Sequence, residues 1–237
     1  MTDFLLAMFG AGVSALALWV DFIKYPAIGA IAKSPIGKLG HLTVQGNLAM
    51  LAYYLEQSRR CVVGTREGEL LWSKIASIGG LSLYMAVGYF SFLHYDPTGR
   101  FFVRRAIKTG QLKVRGTQRK PQEEEFWRDM VVAHLPQLPA VLLVIFAMQK
   151  PEEYCRSLSF RGDVFIPTVA FATWYALTTL AVWTWTGGSR GGVWPYPFLH
   201  LFTRVKQHVG WHIGCCSSAL LCGLCFHVLI YRCLCDT

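Results

Sequence analysis

Apolar residues do not alternate with polar ones along this chain; they gather into long runs separated by short charged tracts. Six runs, each close to the roughly twenty residues needed to cross a bilayer, cover Phe4–Tyr25, Gly37–Glu56, Leu71–Tyr95, Trp127–Gln149, Gly162–Trp185 and His208–Tyr231. In hydrocarbon every backbone N–H and C=O must be paired internally, so runs of this length are helices. The pattern predicts an all-α fold: a polytopic membrane helical bundle of six transmembrane helices, forming a single integral membrane domain over residues 1–237. The second and fourth runs are the weakest. Each admits polar groups, and the fourth carries Pro136 and Pro139, so a count of five leaves one of them re-entrant. The only substantial soluble part is a basic loop at about 96–126, with no second domain.

Composition agrees with the pattern. Apolar residues make up 53% and charged residues only 16%, against roughly a quarter charged in an average soluble chain. The first run is no signal peptide: its leader "MTD" lacks positive charge and the apolar stretch outlasts a short h-region. The net charge of +9 is a matter of topology. The loops after runs one, three and five share one membrane face, here the B side, and hold fourteen Lys and Arg against seven on the other. Positive charge is retained in the cytoplasm, so the B side is predicted to be cytosolic and both termini are not. The tract "RRAIKTGQLKVRGTQRKPQEEE" has no interleaved aromatic residues on which bases stack. It is read as facing solvent or lipid headgroups, with no nucleic acid partner. The expected location is a multi-pass integral membrane protein of the endoplasmic reticulum or plasma membrane.

Cysteine adds little. Six of the eight lie between Cys215 and Cys235, largely inside the last run, and read as buried thiols with no disulfide framework. Cys233 and Cys235 sit at a membrane edge, where palmitoylation is an option.

The chemistry is sought where polar groups enter the apolar runs. In "GKLGHLTVQGNLAMLAYYL" a hydroxyl, an imidazole and two amides (Thr43, His41, Gln45, Asn47) precede the apolar part. Thr43, Asn47, Met50 and Tyr54 share one face by the 3.6-residue period, whereas His41 points elsewhere, so a base for Thr43 must arrive from another helix. His134 lies early in run four. Both Thr43 and His134 are roughly six or seven residues into their runs, about 10 Å deep at 1.5 Å per residue. Each has a bland reading: a membrane threonine bonds its own preceding carbonyl, an interior histidine is simply satisfied, and two prolines make a kink. Six of the seven histidines nevertheless lie near the B face, and polar groups inside a membrane pair, face the interior or work. His208 and His212 are four apart, as in a metal pair, but no carboxylate joins them, so no metal and no cofactor is expected.

Three segments carry a resemblance. "GKLGHLTVQGNLAMLAYYL", "HLPQLP" and "GGVWPYPFL", in this order and spacing, resemble the androgen-induced and androgen-dependent polytopic membrane proteins. Studied members of that family hydrolyse fatty acid esters of hydroxy fatty acids with a threonine nucleophile. The resemblance implies that Thr43 and His134 are the functional pair, acting on a lipid ester substrate. Asn47 is the candidate oxyanion donor, and Lys38 or Arg128 the candidate contact for a free carboxylate of the substrate. Two other classes compete: a non-enzymatic multi-pass regulator or scaffold acting through the basic loop, and a haem-binding membrane electron carrier using paired histidines.

Overall fold

The computed structural model describes residues 2–27, 34, 36–64, 74–147, 151–192, 194 and 205–236. Every regular element among them is helical. Helix α1 (Thr2–Leu18) continues as a π-helical turn, Trp19–Lys24. A 3₁₀ turn, Gly37–Gly40, leads into α2 (Leu42–Val63). Helix α3 (Ile75–Tyr89) ends in a π-helical turn, Phe90–His94, followed by the short α4 (Pro97–Lys108). Helices α5 (Glu123–His134) and α6 (Gln137–Ala147) divide the fourth run, and α7 (Pro151–Ser157) follows. A π-helical turn, Arg161–Phe165, enters α8 (Ile166–Trp185), and α9 (Val205–Ile230) closes the bundle with a last π-helical turn, Tyr231–Cys235.

Five helical stretches are long and apolar enough to cross a membrane: Thr2–Lys24, Ile75–His94, Glu123–Ala147, Arg161–Trp185 and Gln207–Cys235. They match five of the six expected runs, residues 71–73 lying outside the described part. The sixth, α2, has the length, with 22 residues, but holds Glu56, Arg59 and Arg60 in its last third. It runs antiparallel to α1: Lys38 reaches Asp21 at one end, while further along Tyr54 packs against Gly10. Helix α2 therefore runs alongside α1, with its uncharged polar side chains turned inward and the Arg59 side chain exposed near its far end. Thr43, Gln45, Asn47 and Gln57 are all buried.

One apolar core joins α1, α2, α3 and α6 through Ala7, Met50, Tyr54, Ile75, Val141 and Ile145. A second, nearer the B side, joins Val20, Tyr25, Tyr89, Phe126, Trp127 and Met130. Helices α3 and α9 cross in close contact where Gly80 meets Gly223: a Cβ on Gly80 would lie 2.5 Å from the Gly223 Cα. Small residues at such a crossing let two backbones approach, the usual means of packing where lipid removes the hydrophobic drive.

Three expectations change. The 96–126 segment is not simply a loop, because α4 occupies its first half; Pro97 opens the helix and the Asp96 carboxylate accepts from the Gly99 N–H at 2.6 Å. The fourth run begins earlier than expected, at Glu123, where Gln122 and Glu125 form a capping box. The cysteines are not all free thiols, since Cys155 and Cys235 are joined by a disulfide that ties α7 to the end of the α9 stretch. Their separation of 80 residues left no spacing pattern to read. Cys225 and Cys233 are free and exposed.

Candidate active site

The site is assembled around the kink in the fourth run. Pro136 has no N–H to donate, so the helical ladder is interrupted and carbonyls at the end of α5 are released from their usual partners. The Ala133 carbonyl accepts instead from Asn47 Nδ2 at 3.2 Å. Gln137 Nε2 donates to Asn47 Oδ1 at 3.1 Å, and Ser14 Oγ donates to Gln137 Oε1 at 3.3 Å. This chain of amides and a hydroxyl fastens α1 and α2 to the kink and fixes His134, the last residue of α5.

His134 and Thr43 touch. The imidazole Nε2 lies 3.1 Å from Thr43 Oγ1, and Nδ1 lies 2.6 Å from the Met130 carbonyl. A carbonyl only accepts, so Nδ1 carries a proton. In the neutral ring Nε2 is then an acceptor for the Thr43 hydroxyl. The ring is stacked on Tyr89, with centroids 4.1 Å apart and planes at 21°; the Tyr89 hydroxyl is 2.7 Å from His94 Nδ1. Both residues are buried, with relative exposures of 6% for Thr43 and 4% for His134.

Thr43 does not bond its own helix. It stands at the second position of α2, and the carbonyl four residues back, Leu39 O, accepts from Gln45 Nε2 at 2.7 Å. Gln45 Nε2 also meets Thr178 Oγ1 on α8 at 2.8 Å. The first backbone bond of α2 runs from Gln45 N to His41 O at 3.1 Å, and the His41 side chain caps nothing. The N–H groups of Thr43 and Val44 therefore have no carbonyl partner among the described residues. Free N–H groups at a helix start favour negative charge beside them.

The equal depth expected of Thr43 and His134 does not follow from the helix starts, which differ from those of the runs. Helix α2 begins five residues later than the run, and α5 four residues earlier. The two side chains meet at the start of one helix and the end of the other, with the 3₁₀ turn Gly37–Gly40 held against the end of the first span by Lys38 and Asp21.

A cavity begins at the pair. Thr43, Tyr89 and His134 line its polar end, with Phe92, Leu93 and Trp211 beside them. It shares Leu42, Tyr84, Tyr175 and Cys215 with a second, almost wholly apolar cavity of about 170 Å³ that continues to Ser77 and Thr168. Along α3 and its π-helical turn the joint lining runs from Ser77 to Leu93, about 24 Å at 1.5 Å per residue. The cavity at the pair is small, about 50 Å³, and the two linings together cover a length close to that of a hydrocarbon core, roughly 30 Å thick.

The remaining candidates sit elsewhere. Lys38 Nζ is 2.8 Å from Asp21 Oδ1 and also bonds the Asp21 carbonyl. It holds the 3₁₀ turn against the end of the first span and does not line the cavity. Arg128 is exposed on the outside of α5. Asn47 is fully buried with both ends of its amide engaged. Beyond Trp194, the "GGVWPYPFLH" segment and His200 lie outside the described residues. Trp194 itself stacks between Trp183 and His208, at centroid distances of 5.4 and 4.0 Å. No group of three His, Cys, Asp or Glu suited to a metal occurs among the described residues.

Sequence reasoning passed over Asp21, Tyr89 and Gln137. Asp21 carried a signal of its own, an ionisable group inside an apolar run, which needs a partner wherever it occurs. Searches of protein-family models, of curated proteins and of solved structures returned no match to this chain.

Proposed function

We propose that this protein is a membrane-embedded carboxylic ester hydrolase acting on a lipid ester, with Thr43 as nucleophile and His134 as base. The observation that carries the reading is the 3.1 Å contact from the Thr43 hydroxyl to an imidazole nitrogen whose tautomer makes it an acceptor. Hydroxyl nucleophiles need such a base. The two adjoining cavities beside the pair together have the length and apolar lining to take a fatty acyl chain. The substrate class is the one implied by the sequence resemblance, fatty acid esters of hydroxy fatty acids.

In the reaction, Thr43 Oγ1 attacks the ester carbonyl carbon as its proton passes to His134 Nε2. The carbonyl π electrons move onto oxygen, and the oxyanion is held by the N–H groups of Thr43 and Val44 at the start of α2. Collapse breaks the ester C–O bond, and the His134 imidazolium returns the proton to the departing alkoxide, giving a free alcohol and an acyl-threonine. Water, deprotonated by His134, attacks the acyl-threonine; the carboxylic acid leaves and the Thr43 hydroxyl is restored. Asn47 is assigned a structural part, closing the kink, in place of the oxyanion contact first expected of it.

An alkyl fluorophosphonate tests the reading. It should label purified protein at Thr43, with the modified peptide identified by mass spectrometry. Thr43→Ser should still be labelled. Labelling that persists in Thr43→Val removes the assignment.

For the orientation we assign the B side, the end of the bundle nearer the site, to the cytosol. The excess of Lys and Arg on that side and the Cys155–Cys235 disulfide on the opposite one support this independently, since disulfides persist in oxidising compartments. In sealed microsomes an epitope at Gly116 should be digested by added protease and one at Gly64 protected. The opposite pattern reverses the topology.

A further inference from the structure

Helix α4 is amphipathic in an unusual sense. Val103, Ala106 and Ile107 turn inward and pack on the B-side core formed by Val20, Tyr25, Tyr89, Phe126 and Trp127. The opposite face carries Phe101 with Arg104, Arg105 and Lys108, its neighbours at i+3, i+4 and i+7. Phe101 is 59% exposed, and Phe102 beside it 43%. Arg104 is paired with Glu123 at 2.8 Å, while Arg105 and Lys108 meet no carboxylate among the described residues. The surface thus offers two aromatic rings set among cations, two of which have no counter-charge among the described residues.

Chain connectivity fixes where this face lies. The third span ends at His94, and α4 starts three residues later, at Pro97. Beyond α4, the Arg115 N–H donates to the Lys24 carbonyl at 3.0 Å, and Lys24 is the last residue of the first span. Both ends of the basic segment are therefore tied to the level at which spans leave the hydrocarbon. There an exposed ring beside cations meets acyl-chain ends and headgroups together, as in helices that lie in the membrane plane.

We propose that α4 lies in the interface of the B-side leaflet, where Phe101, Arg105 and Lys108 hold anionic phospholipid headgroups. Phe101 enters the boundary between headgroups and acyl chains, and the two cations take the phosphate and carboxylate oxygens. This proposal is independent of the hydrolase reading.

The test uses the full-length protein in nanodiscs of phosphatidylcholine with or without phosphatidylserine, read by hydrogen–deuterium exchange. A cation at an anionic surface is worth roughly a fivefold change in occupancy, so α4 should exchange several-fold more slowly when phosphatidylserine is present. Soluble inorganic phosphate should not reproduce the slowing. The double variant Arg105→Glu/Lys108→Glu should lose the dependence on phosphatidylserine while exchange in α5 stays unchanged, showing that the bundle is intact. Phe101→Ser should weaken protection in both kinds of disc. Equal exchange of α4 in neutral and anionic discs overturns the proposal, as does a dependence that survives the double variant. Slowing obtained only on adding an acidic protein overturns it too and gives the face to that partner.

Discussion

Thr43→Val is expected to lower kcat for a long-chain fatty acyl ester by on the order of a thousandfold or more, the scale on which nucleophile removal acts in hydrolases. The fold should survive, because valine is nearly isosteric and the hydroxyl makes one interhelical hydrogen bond, worth about 1 kcal/mol. His134→Ala should cost a similar factor. The informative variant is the double one. If Thr43 and His134 act as a unit, removing both should be little worse than removing either, since each single change already disables the transfer of the same proton. Steady-state kinetics of the four proteins in one detergent would show this, and factors that multiply would mean that the two side chains act separately. Asn47→Leu is the control. Its amide joins the Ala133 carbonyl to Gln137, so the change should lower thermal stability first, leaving both buried partners unsatisfied. A kcat loss in Asn47→Leu at unchanged stability would return Asn47 to the oxyanion role.

What the sequence discloses here depends on whether a feature is local. The helices are local: twenty apolar residues in lipid have no other solution, and five of six runs emerge with ends shifted by a few residues. The face of α2 is local too, and Thr43, Asn47, Met50 and Tyr54 do turn inward together. Partner choice is not local. That the Asn47 amide is taken by a carbonyl 86 positions away follows from the kink at Pro136, whose geometry no period encodes. The hydroxyl of Thr43 meets His134 on another helix while the Leu39 carbonyl accepts from Gln45, a division of partners that residue type alone does not decide. Helix α4 was hidden for another reason. Its inward face is only Val103, Ala106 and Ile107, too short a stripe to stand out among the surrounding charges. The disulfide joins two helix ends brought together by the whole bundle.

The same division of partners makes Lys38 decisive. Its ammonium is the close partner of the buried Asp21 carboxylate, at 2.8 Å, with side-chain exposures of 13% and 9%. Lys38→Met should therefore strand a charge in a poorly hydrated site and destabilise the protein by about 3–5 kcal/mol, the usual cost of breaking a buried pair from one side. Asp21→Asn should cost less, since the Lys38 ammonium it leaves without a carboxylate keeps the Asp21 backbone carbonyl as an acceptor and is the more exposed member of the pair. Asp21→Asn combined with Lys38→Met should recover most of the stability lost in Lys38→Met alone, because no unpaired carboxylate remains. Thermal inactivation of the four proteins gives the cycle. Had Lys38 served instead to hold the free carboxylate of a substrate, Lys38→Met would raise KM for an ester bearing a carboxylate, leave KM for its methyl ester unchanged and barely move the inactivation temperature. The ion pair predicts the opposite. A loosened 3₁₀ turn would move Thr43 away from His134, so kcat should fall for both esters alike and be largely restored in the double variant.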